Sequence, residues 1–161
     1  MKSIQTELLH VLLADDDAED RNLFSAILKR TNIPAGLTEF KNAMDLLKYL
    51  ENPENTIPDF IFLDINMPVM NGKECLREIR KKPLHRYVPV IICSTTNYKQ
   101  DIDETFADGA NLFVPKNTLS GDIFEKIFSF IWQQNIFNRD PSNFVLSEHK
   151  ATERIRLMEK H

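Results

Sequence analysis

The amino-acid sequence predicts an α/β fold in which a parallel β-sheet carries helices on both faces. Two observations support this prediction: short apolar runs alternate with amphipathic stretches over about the first 120 residues, and several of the runs are apolar at every position. Continuously apolar strands are typical of parallel sheets, which are covered on both sides, and right-handed crossovers distribute the helices over the two faces. We expect five strands and five helices, followed by a short C-terminal extension.

The first half of the chain supplies three strands and two helices. The expected strands are 8–14, 37–40 and 60–63, and the segment 37–40 is short and weakly patterned. The first helix is expected over 17–30, and the second begins after Asn42, a common capping residue, and ends at Asn52-Pro53. Their apolar faces are Leu23, Phe24, Ile27 and Leu28 in the first helix and Ala43, Leu46, Leu47 and Leu50 in the second.

The second half supplies the remaining elements. They are a helix that opens at Asn71-Gly72 and carries Leu76 and Ile79, a strand over 88–93, a helix over 101–108, a strand over 112–114 and a helix over 121–135. Gly109 indicates the end of the fourth helix, because glycine readily adopts the left-handed backbone found after many helices. The basic connection 81–87 is interpreted as a solvated loop, with a docking feature as the alternative.

Composition restricts the class of protein. The chain has 161 residues, of which 42% are apolar and 27% charged, and this fits a single domain with its own core. A net charge of −4 provides no general attraction for nucleic acid or an anionic membrane, so we expect neither direct DNA binding nor membrane association. Cys75 and Cys93 form no CxxC motif and are expected to be reduced thiols in a cytoplasmic protein.

Chemically distinct side chains follow the predicted strands at one edge of the sheet. Strand one ends in Asp15-Asp16-Asp17, strand three in Asp64, strand four in Ser94-Thr95-Thr96 and strand five in Lys116. The carboxyl ends of parallel strands share one edge, where such sheets bind ligands. Each residue alone has an ordinary explanation as a helix cap, a loop hydroxyl or a surface cation, but their joint occurrence predicts a functional site.

The combination of residue types indicates phosphoryl transfer to or from an aspartate. Packed carboxylates repel one another, and a hard divalent cation such as Mg²⁺, held by few protein ligands and several waters, relieves that repulsion. A carboxylate beside the cation is a nucleophile towards phosphorus. The metal, the lysine and the hydroxyl together neutralise the oxygens of a transferring phosphoryl group.

Four segments resemble the receiver domains of two-component response regulators. They are Val11–Asp17, Pro58–Pro68 with Asn71-Gly72, Val88–Ser94, and Gly109-Ala110 through Phe113 to Lys116. The pattern Asp-x-x-Met-Pro-x-x-x-Gly after an apolar strand is a specific signal of this family. The resemblance implies a flavodoxin-like, doubly wound, five-stranded sheet in the order 2-1-3-4-5. It also implies a stand-alone receiver similar to chemotaxis regulators over 7–137, with a partly helical extension over 138–161.

The resemblance implies how the phosphoryl group and the metal are held. Asp64 is expected to be the phosphoacceptor, attacking a phosphohistidine on a histidine kinase or a histidine phosphotransfer protein. Asp15 and Asp16 are expected to hold Mg²⁺ (or Mn²⁺), together with Asp64 and the backbone carbonyl of Asn66.

The resemblance also implies a switch. Ser94 and Lys116 are expected to bind phosphoryl oxygens, and Phe113 occupies the aromatic switch position and is expected to turn inward on phosphorylation. Asn66 and Thr96 are expected to tune the access of water. The change is read out on the surface of helix four, strand five and helix five, where the family docks partners.

One position departs from the family pattern. The family usually follows its lysine with proline, whereas here Asn117 follows Lys116 and Pro115 precedes it. We do not expect a cis Lys116–Asn117 bond, since without proline the cis form costs ~3 kcal/mol. Pro115 is tolerated because strand five is expected at the edge of the sheet.

The fifth helix is apolar more than half way round, whereas a surface helix needs only one apolar stripe. Its apolar residues are Ile123, Phe124, Ile127, Phe128, Phe130, Ile131 and Trp132. Three alternatives could cover the excess apolar face of this helix: the chain's own tail, a second copy of the protein, or another protein. In the tail, Phe144-Val145-Leu146 is apolar, and 147–160 is a potential helix with Ala151, Ile155 and Met158 in line. Because the tail is short, we expect it not to form a DNA-binding or catalytic output domain.

Three other functions are weighed against a receiver. An aspartate-nucleophile phosphohydrolase generally needs an acid two residues after the nucleophile, where this chain has Asn66. A pseudo-receiver scaffold that is never phosphorylated is disfavoured because all five site positions carry competent residues. Flavin or dinucleotide binding is disfavoured because the chain has only four glycines and no glycine-rich phosphate loop.

Overall fold

The computed structural model describes residues 8–118, 122–133 and 139–160. Its strands are β1 (Leu9–Ala14), β2 (Ala35–Phe40), β3 (Phe60–Asp64), β4 (Val90–Ser94) and β5 (Leu112–Pro115). Its α-helices are α1 (Ala18–Arg30), α2 (Ala43–Glu51), α3 (Gly72–Lys81), α4 (Lys99–Ala107), α5 (Asp122–Gln133) and α6 (Glu148–Met158). Short 3₁₀ turns cover Lys116–Thr118 and Pro141–Asn143.

The strands form one parallel sheet in the order β2-β1-β3-β4-β5. Strands β3 and β4 lie inside the sheet and are buried at every position, which explains their uninterrupted apolar sequence. Apolar side chains form two clusters, one under α1 and α5 and the other under α2, α3 and α4. The predicted α/β class and strand order are therefore confirmed.

Helices α2 and α3 begin after the predicted capping residues. Asn42 accepts a hydrogen bond from the Asp45 amide, and Asn71 forms a reciprocal capping box with Glu74 at the start of α3. Gly109 follows α4 with a φ of +102°, in the left-handed region that favours glycine. The Asn71 cap starts α3 in the loop that follows the carboxyl end of β3.

Several strands and helices begin at residues other than those predicted. Strand β2 begins at Ala35, two residues earlier than expected, and α4 begins at Lys99 rather than Asp101. In α1 the side chain of Leu23 is 47% exposed, because it lies at the margin of the apolar face that Phe24, Ile27 and Leu28 bury. The peptide bonds of the described residues are all trans, Lys116–Asn117 included.

The C-terminal segment packs on the chain's own domain. Val145 forms a parallel bridge with Phe113 beside the edge of β5, and α6 contacts α5, where the Arg154 guanidinium lies 5.4 Å from the centre of the Phe130 ring. The tail therefore supplies a cover for α5, the first of the three alternatives.

Some predicted positions lie outside the described part, namely residues 121, 134, 135 and 161 and the side chains of Ile123, Ala151, Ile155 and Met158.

Both cysteines are free and buried. Burial raises the pKa of the Cys75 thiol to about 12, so it stays protonated at neutral pH. Among the described helices, none has the length and hydropathy that crossing a bilayer requires.

Candidate functional site

The predicted site residues meet at the carboxyl edge of the sheet. Asp15 follows β1, Asp64 and Ser94 end β3 and β4, and Lys116 follows β5. Carboxylate oxygens of Asp15, Asp16 and Asp64 lie within 4.8 Å of one another. Asp17, the third residue of the acidic run, has a different role, since its side chain caps α1 by accepting from the Glu19 amide at 2.8 Å.

Asp64 is a buried carboxylate with one oxygen that no described group bonds. It is 4% exposed, and its Oδ1 atom has no hydrogen-bond partner within the described residues. Burial raises the pKa of Asp64 to about 6; the ammonium of Lys116, 3.5 Å from Oδ2, opposes that shift, and the nearby charge of Asp15 adds to it. An unpartnered buried oxygen beside two more carboxylates is a donor set that suits a hard divalent cation.

Lys116 is held by three carboxylates. Its Nζ atom lies 2.8 Å from Asp15 Oδ2 and 2.7 Å from Asp20 Oδ2, both closer than Asp64. Burial alone lowers the pKa of Lys116, but its hydrogen bonds to Asp15 and Asp20 outweigh burial, so the net shift is upward and the ammonium stays charged. Asp20 was not predicted as a site residue, although it lies in the first turn of α1.

Asp15 is fixed by the start of α1. Its Oδ1 atom accepts from the Asp17 amide at 2.9 Å, and its backbone carbonyl accepts from Arg21 Nη1 at 2.8 Å. Burial raises the pKa of Asp15, while its hydrogen bond to Lys116 acts in the opposite direction. The start of α1 therefore orients one carboxylate and leaves the adjacent Asp16 exposed to solvent.

The loop after β3 brings α3 against the backbone of Asp64. A Cβ atom on Gly72 would lie 2.1 Å from the Asp64 carbonyl oxygen, so this contact requires glycine. In the same loop Val69 has a φ of +71° and is 99% exposed, an unusual backbone for a β-branched residue. Asn66, two residues after Asp64, is exposed at the rim of the site.

The predicted switch residues are buried or bonded to the loops of the site. Ser94 is fully buried, and its Oγ atom accepts from the Thr96 amide at 3.2 Å. The Thr96 hydroxyl donates to Asp101 in α4 at 3.1 Å. Phe113 is already 0% exposed, with its ring 6.2 Å from that of Phe144 in the tail. The expected inward turn of Phe113 would begin from an exposed ring. In this structure the ring is already buried, because the tail covers it.

Comparisons with known proteins show which family this sequence matches. The family model described as the response regulator receiver domain matches residues 11–128. The response regulator Rcp1 of Synechocystis sp. is 26% identical over 73% of this chain and 82% of the relative. The two-component response regulator ORR13 of Oryza sativa subsp. japonica is 32% identical over 76% and 97%.

Solved structures of response regulators share the fold. The phosphorylated cyanobacterial phytochrome response regulator RcpA superposes with a TM-score of 0.69 at 26% identity, over 78% of this chain and 92% of that one. The family match covers well over half of the sequence and coincides with the sheet and with the cluster at its carboxyl edge. The chain therefore belongs to the response regulator receiver domain family.

Proposed function

We propose that this protein is a response regulator in which Asp64 accepts a phosphoryl group from a phosphohistidine of a histidine kinase or a phosphotransfer protein. The observation that carries the proposal is the buried Oδ1 atom of Asp64, which has no hydrogen-bond partner in the described part of the chain. Buried polar atoms normally have partners, and exceptions require an explanation such as a catalytic role. Here the exception lies where two further carboxylates and a lysine converge.

The transfer uses the residues that the sheet edge brings together. A carboxylate oxygen of Asp64 attacks phosphorus, the bond between phosphorus and the histidine nitrogen breaks, and the imidazole leaves with the electron pair. Asp15, Asp16, Asp64 and the backbone carbonyl of Asn66 would hold Mg²⁺ or Mn²⁺, which when bound neutralises charge on the phosphoryl oxygens.

Two further residues would bind the phosphoryl group. Lys116 carries a positive charge 3.5 Å from Asp64 Oδ2, and Ser94 has a hydroxyl that can turn from the Thr96 amide to a phosphoryl oxygen. Asn66 and Thr96 would tune the access of water and so the return to the free carboxylate. The chain is thus a phosphoacceptor that resets itself.

The output surface is formed by α4, β5 and α5, and we call it the output face. Phosphorylation adds about −2 charge at Asp64. Ser94 is joined to α4 through Thr96 and Asp101, so movement of its hydroxyl is transmitted to this face. We infer that the protein acts in the cytoplasm by contacts with other proteins, over a receiver that spans 7–137.

Phosphorylation of Asp64 is tested with a small phosphodonor and Mg²⁺. We expect an acid-stable, base-labile label, approaching one group per chain, in the wild type and in Asp59→Asn, and none in Asp64→Asn. Asp59 is a matched control because it precedes the same strand at the opposite edge of the sheet. Chelation of divalent cations should abolish labelling.

Other results would point elsewhere. Label at the wild-type level in Asp64→Asn would reject the assignment. Steady hydrolysis of small phosphate esters would favour the phosphohydrolase alternative, and an unlabelled wild type would favour the pseudo-receiver.

A further inference from the structure

Residues 139–147, which we call the tail segment, lie across the edge of the output face. The Phe113 amide donates to the Phe144 carbonyl at 2.8 Å, and the Leu146 amide donates to the Phe113 carbonyl at 2.8 Å. The tail segment therefore continues the sheet beyond β5, in the manner of peptides that add a strand to a sheet edge.

Two side chains give this contact a specific chemistry. Phe144 is 3% exposed, and its ring lies 5.1 Å from that of Phe106 in α4 and 6.2 Å from that of Phe113. Arg139 donates to the carbonyls of Phe106 and Ala110 just at and beyond the C-terminus of α4, and its guanidinium lies 4.4 Å from the centre of the Phe106 ring. A cation at this end of a helix is favoured because the last carbonyls carry partial negative charge.

We propose that the output face is a docking site for an extended segment with an arginine followed five residues later by a phenylalanine, that the tail segment occupies it in cis, and that phosphorylation of Asp64 releases it for a partner segment of the same chemistry. The release rests on the proposed function of Asp64. The occupancy by the tail segment does not, because it follows from the contacts alone.

A chain of hydrogen bonds leads from the phosphorylation site to α4, which the tail segment contacts. Ser94 is bonded to Thr96 and Thr96 to Asp101, which leads into α4, the helix whose far end Arg139 caps. Phe113 in turn contacts the tail segment through its amide, its carbonyl and its ring. A shift of α4 or Phe113 when the Ser94 hydroxyl turns to a phosphoryl oxygen therefore weakens the binding of the tail segment.

The end of the tail segment also faces the loops that carry the site. An open cleft of about 790 Å³ separates Thr95 and Asn117, which adjoin Ser94 and Lys116, from Ser147 and Arg156. The tail thus spans from the far end of α4 to the rim of the phosphorylation site.

Peptide binding to the full chain tests the docking site. A fluorescein-labelled peptide of residues 139–147 is titrated against the wild type, against Arg139→Ala/Phe144→Ala and against Leu84→Ala, whose exposed apolar side chain lies in the α3–β4 connection. A segment attached in cis has an effective concentration on the order of millimolar, so the wild type should exclude the peptide. We expect binding to the double variant at least tenfold tighter than to the other two proteins.

Amide exchange of the wild type tests the release and needs no variant. After phosphorylation, verified by label on Asp64, we expect the Leu146 amide to exchange at least tenfold faster and the peptide to bind at least tenfold more tightly.

Equal peptide affinity for all three unphosphorylated proteins, or binding to none of them, would overturn the docking site. Unchanged exchange and binding in a chain shown to carry the label would overturn the release. If Asp64 takes no label, the proposed function fails, whereas tighter binding to the unphosphorylated double variant still supports the docking site.

Discussion

The aspartates at the two ends of β3 differ in their hydrogen bonding. Asp59, just before the strand, exchanges two hydrogen bonds with His10: its Oδ2 atom accepts from the His10 amide at 2.7 Å, and its own amide donates to the His10 carbonyl at 2.8 Å. Asp64, the last residue of the strand, is buried with an oxygen that no described group bonds. The comparison shows that the amino edge of the sheet pairs its aspartate with the backbone, whereas the carboxyl edge buries a carboxylate oxygen that has no partner among the described residues.

Adding a side-chain carbon at Gly72, where α3 contacts the backbone of Asp64, should have the largest effect on stability. We expect Gly72→Ala to lower the free energy of unfolding by at least about 3 kcal/mol, because its Cβ would meet backbone atoms at 2.1 and 2.8 Å. In the control Gly36→Ala, near the amino edge in β2, the nearest contact of the new Cβ is the flexible Leu8 side chain at 3.1 Å, and we expect a change within about 1 kcal/mol. Denaturant unfolding measures both, and equal losses would contradict the tight approach at Gly72.

Neutralising Asp64 should stabilise the metal-free protein. The pKa of Asp64 is about 6 in the fold and 3.8 as its ordinary value, so the native state binds more protons than the unfolded state between these values. Its contribution to stability is therefore present at low pH and is lost as pH rises from about 4 to about 6. We expect Asp64→Asn to be about 2–3 kcal/mol more stable than the wild type at pH 7.5.

The measurement is denaturant unfolding in a chelator across this pH range. The difference between Asp64→Asn and the wild type should shrink as pH falls towards 4. Asp59→Asn should instead lose ~0.5–1 kcal/mol, since an amide oxygen accepts less strongly than a carboxylate. A variant at position 64 no more stable than the wild type at pH 7.5 would mean that the buried carboxylate carries no penalty.

Removing Asp20 should weaken the binding of divalent cations. Without this partner, 2.7 Å away, the Lys116 ammonium keeps Asp15 and Asp64 as its carboxylate partners among the described residues. It then competes with the cation for these two carboxylates. We expect Asp20→Asn to raise the Kd for Mg²⁺ about three- to tenfold, up to about 1.4 kcal/mol. Calorimetric titration compares Asp20→Asn with Glu19→Gln, which removes a neighbouring charge on α1. An equal loss of Mg²⁺ affinity in both variants would show a general effect of charge and contradict a specific role for Asp20.

The smallest effect is expected at the amino edge. Tyr49 OH lies 3.3 Å from His10 Nε2, and we expect Tyr49→Phe to cost ~0.5–1 kcal/mol of stability with no change in the labelling of Asp64. Thermal unfolding and the phosphodonor assay measure the two quantities. Slower labelling would show that the two edges of the sheet are coupled.

The sequence was informative where local pattern decides structure. Uninterrupted apolar runs identified β3 and β4, and the residues following the strands identified Asp15, Asp64, Ser94 and Lys116, because parallel strands bring their carboxyl ends together. The roles of these residues, the metal ligands among them, remain predictions that the labelling and titration experiments test.

Other features depend on contacts between distant segments. The ion pair of Asp20 with Lys116 joins residues 96 positions apart, and nothing near Asp20 specifies that partner. In the same way, the apolar run 144–146 was a candidate cover for helix five, but its pairing with Phe113 at the edge of β5 is set by tertiary packing. The burial of Phe113 followed from that packing and was not visible in the sequence.

The bridge between Phe113 and Val145 has a consequence for solubility. Open sheet edges are templates for aggregation, and natural proteins usually protect them with charge, proline or a covering segment. Strand β5 ends in Pro115, and its apolar middle is protected by the tail. A chain that has released its tail but found no partner would therefore be the aggregation-prone form of the protein.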